Sequence, residues 1–193
     1  MKTVGVFALQ GDFAAHTQAL VQSGAAVCEV RTAAQLEKVD ALVIPGGEST
    51  TMLKLIELEH LTGALGEFGK TKPIFGTCAG AILMARQVSH PTQFSFGLMD
   101  IDVQRNGYGR QLDSRVVELS GGDLSGSLAG LTIEAVFIRA PIIRRVGAAV
   151  SVLARYNGDP VLVEQGRHMV ATFHPELGTV NYIHRIFVER IPA

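Results

Sequence analysis

Pro73-Ile74-Phe75-Gly76-Thr77-Cys78-Ala79-Gly80-Ala81-Ile82-Leu83-Met84-Ala85 changes character twice within one short stretch. Pro73 to Phe75 reads as a strand, and Ala81 to Ala85 as a good helix former. Between them Gly76-x-Cys78-x-Gly80 reads as a tight turn with the cysteine at its apex. Side chains two residues before and after so sharp a bend would collide, and glycine carries none. The turn lifts the sulfur above the end of the strand. It also sets Cys78 at a helix N-terminus, where the positive end of the dipole favours thiolate. A cysteine in this place is either a nucleophile or a small buried hydrophobe. The paired glycines at a strand–helix junction favour the nucleophile.

Upstream, the sequence alternates between two periods. Apolar, β-branched runs occur at Thr3–Leu9, Ala26–Val30 and Ala41–Ile44, with helical spacing at Phe13–Gln22 and Thr51–Leu61. Alternation of this kind predicts β-α-β units and a parallel sheet covered by helices. Ala41-Leu42-Val43-Ile44 is apolar throughout, as suits a strand buried on both faces. After Phe94 the texture shifts to strands and turns: Leu98–Gln104, Val116–Leu119, Leu131–Ile138, Ala148–Tyr156, Pro160–Gln165 and Met169–Phe173. These are expected to add antiparallel strands to the parallel sheet. A last helix is expected from about Gly178 to Glu189. No repeat, low-complexity tract or linker interrupts residues 1–193, so one domain is the economical expectation.

Composition narrows the function. Apolar residues make up 47% of the 193 and charged residues 18%, ample for a packed core. Seventeen Lys and Arg against eighteen Asp and Glu leave a net charge of −1, which counts against nucleic acid as a partner. No run of roughly eighteen apolar residues offers a membrane span, and the first ten residues read as a strand rather than a secretion signal. Cys28 and Cys78 make neither a disulfide framework nor a CxxC pair, which fits a reducing cytoplasm. Cys28, inside the apolar run Ala25–Val30, reads as core. Scattered cysteines and histidines show no metal-ligand spacing.

In an open parallel sheet, ligands sit beyond the carboxyl ends of the strands. Gln10-Gly11, Pro45-Gly46-Gly47-Glu48-Ser49-Thr50, the Cys78 turn and His174-Pro175-Glu176 all follow apolar runs. In an extended segment His174 and Glu176 point to the same side, with Pro175 holding the chain straight. That spacing suits an imidazole base oriented by a carboxylate, though the tripeptide alone could equally be a surface turn. His16, His60 and His184 fall in helical stretches, His90 and His168 in turns. Of these His16 earns a weaker flag, on a helix surface that a partner could use. Gly46-Gly47 and the following helix start offer free N–H groups, which with Ala79 could form an oxyanion hole; a plain turn capped by Ser49 or Thr50 is the alternative. The lysine and spacing of a phosphate-binding loop are missing.

Together these blocks resemble class I (triad-type) glutamine amidotransferases. Within them the sequence is similar to glutaminase subunits of pyridoxal 5′-phosphate synthases. The narrower likeness rests on Gly5–Gly11, Pro45–Thr50, Gly76–Gly80, Val103–Gln111, Phe137–Pro141 and Phe173–Glu176. The resemblance implies a three-layer, flavodoxin-like α/β fold, with a mostly parallel central sheet and helices on both faces. It implies a catalytic set of Cys78, His174 and Glu176, and a glutamine pocket built from Gly47, Glu48, Ser49, Arg105, Ile138 and Arg139. Guanidinium groups suit the free α-carboxylate of glutamine, while an ordinary surface ion pair is the plainer expectation for Arg105 or Arg139. The oxyanion hole is expected from Gly47 and Ala79. Phe7 and Phe13-Ala14-Ala15 depart from the pattern, with expected consequences for partner contacts near the first helix. Gly121–Gly130 reads as a variable loop.

The implied activity is hydrolysis of L-glutamine to L-glutamate and ammonia through a γ-glutamyl thioester on Cys78, with no cofactor. The implied partner is a synthase subunit that receives the ammonia, with no nucleic acid and no membrane involved. The free subunit is then expected to be nearly idle until the Gly46-Gly47 peptide reorients on docking. Two alternatives stay open. One is a glutaminase serving another synthase, such as that of imidazole glycerol phosphate. The other is a redox or stress protein with an oxidisable Cys78, against which the His174–Glu176 pair counts.

Overall fold

The structure, a computed structural model, describes residues 2–107 and 114–192. Tyr108, Gly109, Arg110 and Gln111 of the Val103–Gln111 motif lie outside the described residues. The first half runs β1 (Thr3–Phe7), α1 (Phe13–Gln22), β2 (Ala26–Val30), α2 (Ala33–Leu36), β3 (Ala41–Ile44), α3 (Ser49–Leu58), α4 (Thr62–Thr71), β4 (Ile74–Thr77) and α5 (Ala79–Met84). Then follow β5 (Ala85–Ser89), β6 (Met99–Gln104), β7 (Ser114–Ser120), β8 (Thr132–Ile138), β9 (Ile142–Val146), β10 (Ser151–Tyr156), β11 (Asp159–Gln165), β12 (His168–Ala171) and α6 (Tyr182–Glu189).

Among the described residues, seven strands form the central sheet in the order β10-β11-β12-β4-β3-β1-β2. From β12 to β2 every neighbouring pair is parallel. β11 and β10 then run antiparallel at one edge. β3 is buried at every position, because its alternate side chains feed two different cores. Leu42 and Ile44 face a core shared with Met52, Ile56, Leu65, Phe68 and Leu83. Ala41 and Val43 face a second core with Leu20, Ile183 and Phe187. The sheet is thus the middle layer of three, and the expected fold class holds.

The second half departs from the expectation in a definite way. Only β10, β11 and β12 join the central sheet, and β12 joins it parallel to β4. β6 instead pairs with β5 and β9 in a three-stranded sheet, and β7 with β8 in a separate hairpin. β6 buries Met99, Ile101 and Val103 against the first core, so alternation alone could not say which sheet it served. The hairpin turns Leu119, Ile133, Ala135 and Phe137 into the second core. α2, α4, β5 and β9 are additional to the elements expected from sequence. α4 carries Gly63, Gly66 and Gly69, which disfavour a helix in isolation; Leu65 and Phe68, packed into the core, hold it. Gly121–Gly130, read as a variable loop, is anchored to the body of the fold: Leu124 and Leu128 are buried and the Ser125 N–H donates to the Leu153 carbonyl at 2.9 Å. Phe7 is fully buried in the first core. Among the described residues no helix is long and apolar enough to cross a membrane.

Candidate active site

The strand order reverses on either side of β1, with β2 beside it on one side and β3 then β4 on the other. Chain segments leaving β1, β3, β4 and β12 converge at the carboxyl ends of these parallel strands, where such a sheet opens a crevice. Cys78 follows β4 with φ +47° and ψ −99°. That left-handed conformation costs of order 1–3 kcal/mol for a non-glycine residue and persists only where its surroundings impose it. Here the Cys78 N–H donates to the Ala171 carbonyl of β12 at 2.9 Å. Packing does the rest. A Cβ on Gly76 would come within 2.7 Å of the Gly80 backbone, and one on Gly80 within 2.2 Å of the Ile44 carbonyl oxygen. Neither contact can yield.

His174 stands beside this bend. Gly46 abuts both groups: a Cβ there would lie 2.4 Å from His174 Cε1 and 3.3 Å from Cys78 Cβ. The His174 N–H donates to the Val136 carbonyl at 2.8 Å, tying the segment to β8. Its Nδ1–H donates to Glu176 Oε1 at 2.7 Å. The pairing expected from sequence is therefore present, but its cause differs. Pro175–Leu177 is a single 3-10 turn, so the chain curls to bring the carboxylate to the ring instead of running straight.

Electrostatics follow from this packing. Burial works against charge on His174, yet Cys78 and Glu176 beside it push its pKa up to about 10. Burial also opposes ionisation of Glu176, but His16 and His174 hold its carboxyl well below the usual carboxylate range. The pair at rest is imidazolium and carboxylate.

Cys78, 7% exposed, and His174 open onto a cavity of about 170 Å³. Gly47, Glu48, Ser49, Arg105, Ile138 and Arg139 line it too, so all six expected pocket residues are brought together. Glu176 lies behind the wall, buried. Glu48 is at the same time the N-cap of α3, displacing Ser49 and Thr50 from that expected part. It accepts from the N–H groups of Thr50 at 3.1 Å and Thr51 at 2.7 Å. Slight burial opposes its charge; those two N–H groups and the Thr51 hydroxyl outweigh it and bring its pKa to about 2. Arg105 donates to Glu48 Oε1 at 3.2 Å, so the ion pair foreseen as its plainer use is part of the cavity wall. Arg139, with φ +43°, lines the cavity and makes no hydrogen bond or ion pair to the described residues. The Gly46 carbonyl points straight at Gly11, whose added Cβ would meet the oxygen at 1.8 Å and the carbon at 3.0 Å. Across a trans peptide the Gly47 N–H is therefore directed away from Gly11.

Sequence reasoning missed Ile82 and Asn106, which also line the cavity. Asn106 carried a usable signal, an Asn-Gly pair, and its φ is +51°. His16 and His184 lie in helices as expected, but His16 is not on a surface a partner could use: both rings are fully buried. His168 is not in a turn but opens β12, where its Nδ1 accepts the Ile74 N–H at 3.2 Å. Cys28 packs partly buried against the first core, as expected.

Known proteins share both the sequence and the fold. The model of the SNO glutamine amidotransferase family matches residues 6–193. A "Pyridoxal 5'-phosphate synthase subunit PdxT" from Solibacter usitatus is 56% identical over 192 residues, covering 99% of this chain and 100% of the relative. Another protein of that name, from Koribacter versatilis, is 49% identical over 188 residues, 97% and 95% of the two chains. A crystal structure of a glutamine amidotransferase superposes with a TM-score of 0.87 at 41% identity, over 97% of this chain and 98% of that one. A putative GMP synthase component from Thermoplasma acidophilum shares the fold, with a TM-score of 0.68 at 18% identity over 99% and 92%.

Proposed function

The chain belongs to the SNO glutamine amidotransferase family, and from that premise we propose that Cys78, His174 and Glu176 carry out hydrolysis of L-glutamine in the cavity they share. We read the protein as the glutaminase subunit of a pyridoxal 5′-phosphate synthase, handing ammonia to the synthase subunit; the reading is supported by relatives over nearly the whole chain that are named pyridoxal 5′-phosphate synthase subunits. Neither the imidazole glycerol phosphate assignment nor the redox reading is needed. The whole chain, 1–193, is read as one glutaminase domain, supported by a family match that spans nearly all of it. A cytoplasmic setting is supported by two free cysteines.

One observation carries the catalytic reading: an imidazolium anchored by a buried carboxylate abuts, across Gly46, a cysteine held at a strained bend over an open cavity. The Cys78 sulfur, its proton given up to His174, attacks the side-chain amide carbon of glutamine. The charged oxygen of the tetrahedral intermediate is received by the N–H groups of Gly47 and Ala79. His174 passes its proton to the amide nitrogen, the C–N bond breaks, and ammonia leaves with a γ-glutamyl thioester remaining on sulfur. Water then attacks the thioester carbon while His174 takes its proton. The C–S bond breaks and glutamate is released. Arg139, without a partner among the described residues, holds the α-carboxylate, and Arg105 is steadied by Glu48 along the same wall.

The test is glutamate release from L-glutamine by the chain alone and mixed with the synthase subunit, for the natural protein and Cys78→Ala. The mixture is expected to release glutamate, the free chain much less. Cys78→Ala is expected to release none while still co-eluting with the synthase subunit. Turnover retained by that variant would overturn the assignment.

A further inference from the structure

Two buried histidines lie behind the carboxylate, and the reaction as described uses neither. His16 of α1 and His184 of α6 are both fully buried, with His16 Nδ1 and His184 Nε2 2.9 Å apart. The other edge of the His16 ring faces the site. Its Nε2 lies 3.1 Å from the hydroxyl of Thr77, the residue before the nucleophile, and 3.3 Å from Glu176 Oε2. Glu176 Oε2 is buried and, among the described residues, meets His16 Nε2 at ion-pair distance and no hydrogen-bond partner, whereas Oε1 is taken by His174. One ring thus touches both arms of the site, the one that carries the sulfur and the one that carries the base.

The hydrogen-bond partners settle the tautomers. If His16 carried its proton on Nδ1, an Nε2 lone pair would face the carboxylate, and the His184 Nδ1 proton would be buried with no acceptor, since that atom has no hydrogen-bond partner among the described residues. A buried N–H left without an acceptor is rarer than a buried acceptor left without a donor. With protons on both Nε2 atoms, His184 donates to His16 Nδ1, and His16 turns its N–H toward Thr77 and Glu176. His184 is neutral in this arrangement, burial lowering its pKa to about 3.

We propose that His16, oriented by His184, is a positioning residue for the glutaminase reaction: it holds the second oxygen of Glu176 so that the first stays aimed at His174. The sulfur, His174, Glu176, His16 and His184 then form one buried chain running from the cavity to the α1–α6 layer. This rests on the glutaminase reading, and the experiment separates the two.

Asparagine carries its amide near where the Nδ1 edge of histidine lies, and glutamine extends it to the Nε2 edge. Glutamate release by the complex with the synthase subunit is measured for the natural protein, His16→Asn and His16→Gln, with thermal unfolding confirming the fold of each. His16→Asn keeps His184 and loses Glu176, so its kcat is expected to fall by about tenfold or more, with KM for glutamine within about twofold. His16→Gln restores the donor toward Glu176 and is expected to recover kcat to within about threefold of the natural protein. Folded variants with equal kcat, or His16→Asn the faster of the two, overturn the proposal. Should neither fold, His184→Phe decides. It removes the donor to His16 without touching the carboxylate, and kcat about threefold lower or more is expected at unchanged KM. Natural kcat in that variant overturns the proposal. A natural complex that releases no glutamate overturns the glutaminase reading itself, whatever the variants do.

Discussion

Cys78 and His174 show how single residues are forced into states they would not choose alone. A cysteine at φ +47° is strained, and a largely buried imidazole would ordinarily be neutral. His174 stays charged because the sulfur and Glu176 outweigh its burial. Its folded pKa, about 10, lies above the ordinary 6.5, so the stability it lends is fully present below pH 6.5 and is lost as pH rises toward 10. Glu176 runs the other way. Its folded pKa is depressed below 4.5, so its contribution is present above pH 4.5 and lost as pH falls beneath it. Denaturant midpoints of the free chain are therefore expected to decline at both ends of the pH range. His174→Asn should flatten the alkaline decline relative to the natural chain, and Glu176→Gln the acid one. A His174→Asn chain with the natural slope between pH 6.5 and 10 would contradict this account.

Among the elements, α3 ties stability most directly to the site. Its first turn is capped by Glu48, whose carboxylate takes two backbone N–H groups and the Thr51 hydroxyl while also receiving Arg105. Removing a capping side chain costs about 1 kcal/mol. Glu48→Ala is accordingly expected to lower Tm by roughly 2–4 °C in a chain of this size. Arg105 loses its anchor in the same variant, so KM for glutamine should rise several-fold while kcat changes less. An unchanged KM would show that Arg105 needs no such support. The β7–β8 hairpin also reaches the site, since Val136 holds the His174 backbone and Ile138 lines the cavity wall.

Over the whole molecule, the site exists because the strand order turns back at β1 and because β12 returns beside β4. That return sets Ala171 against the Cys78 N–H and delivers His174 directly after a fully buried Phe173. Phe173 packs on Phe137 with ring centres 5.6 Å apart, locking the His174 segment to the hairpin. Phe173→Ala should cost about 3–5 kcal/mol and lower Tm by about 10 °C. It should also depress kcat, because His174 loses the packing that sets its place. A large loss of Tm with natural kcat would mean that the Val136 bond alone positions the ring.

Chemistry set by neighbours in sequence is legible in the chain itself. The strand, glycine-flanked bend and helix around Cys78 are local, as are the all-apolar β3 and the two-residue step from His174 to Glu176. Periodicity and close spacing decide such features, and the chain carries them wherever it goes. Even there the step reads as straight, and the 3-10 turn at Pro175 corrects it. What the chain could not announce was which distant pieces meet. Strands such as β6 and β12 are both apolar enough to be buried, yet one serves the small sheet and the other the large. Asn106 and Ile82 reach the cavity only when the walls close, and His16 meets His184 only when α1 and α6 pack on the same face. Those meetings depend on burial summed over the whole fold, and a residue's own surroundings in sequence hold no record of that sum.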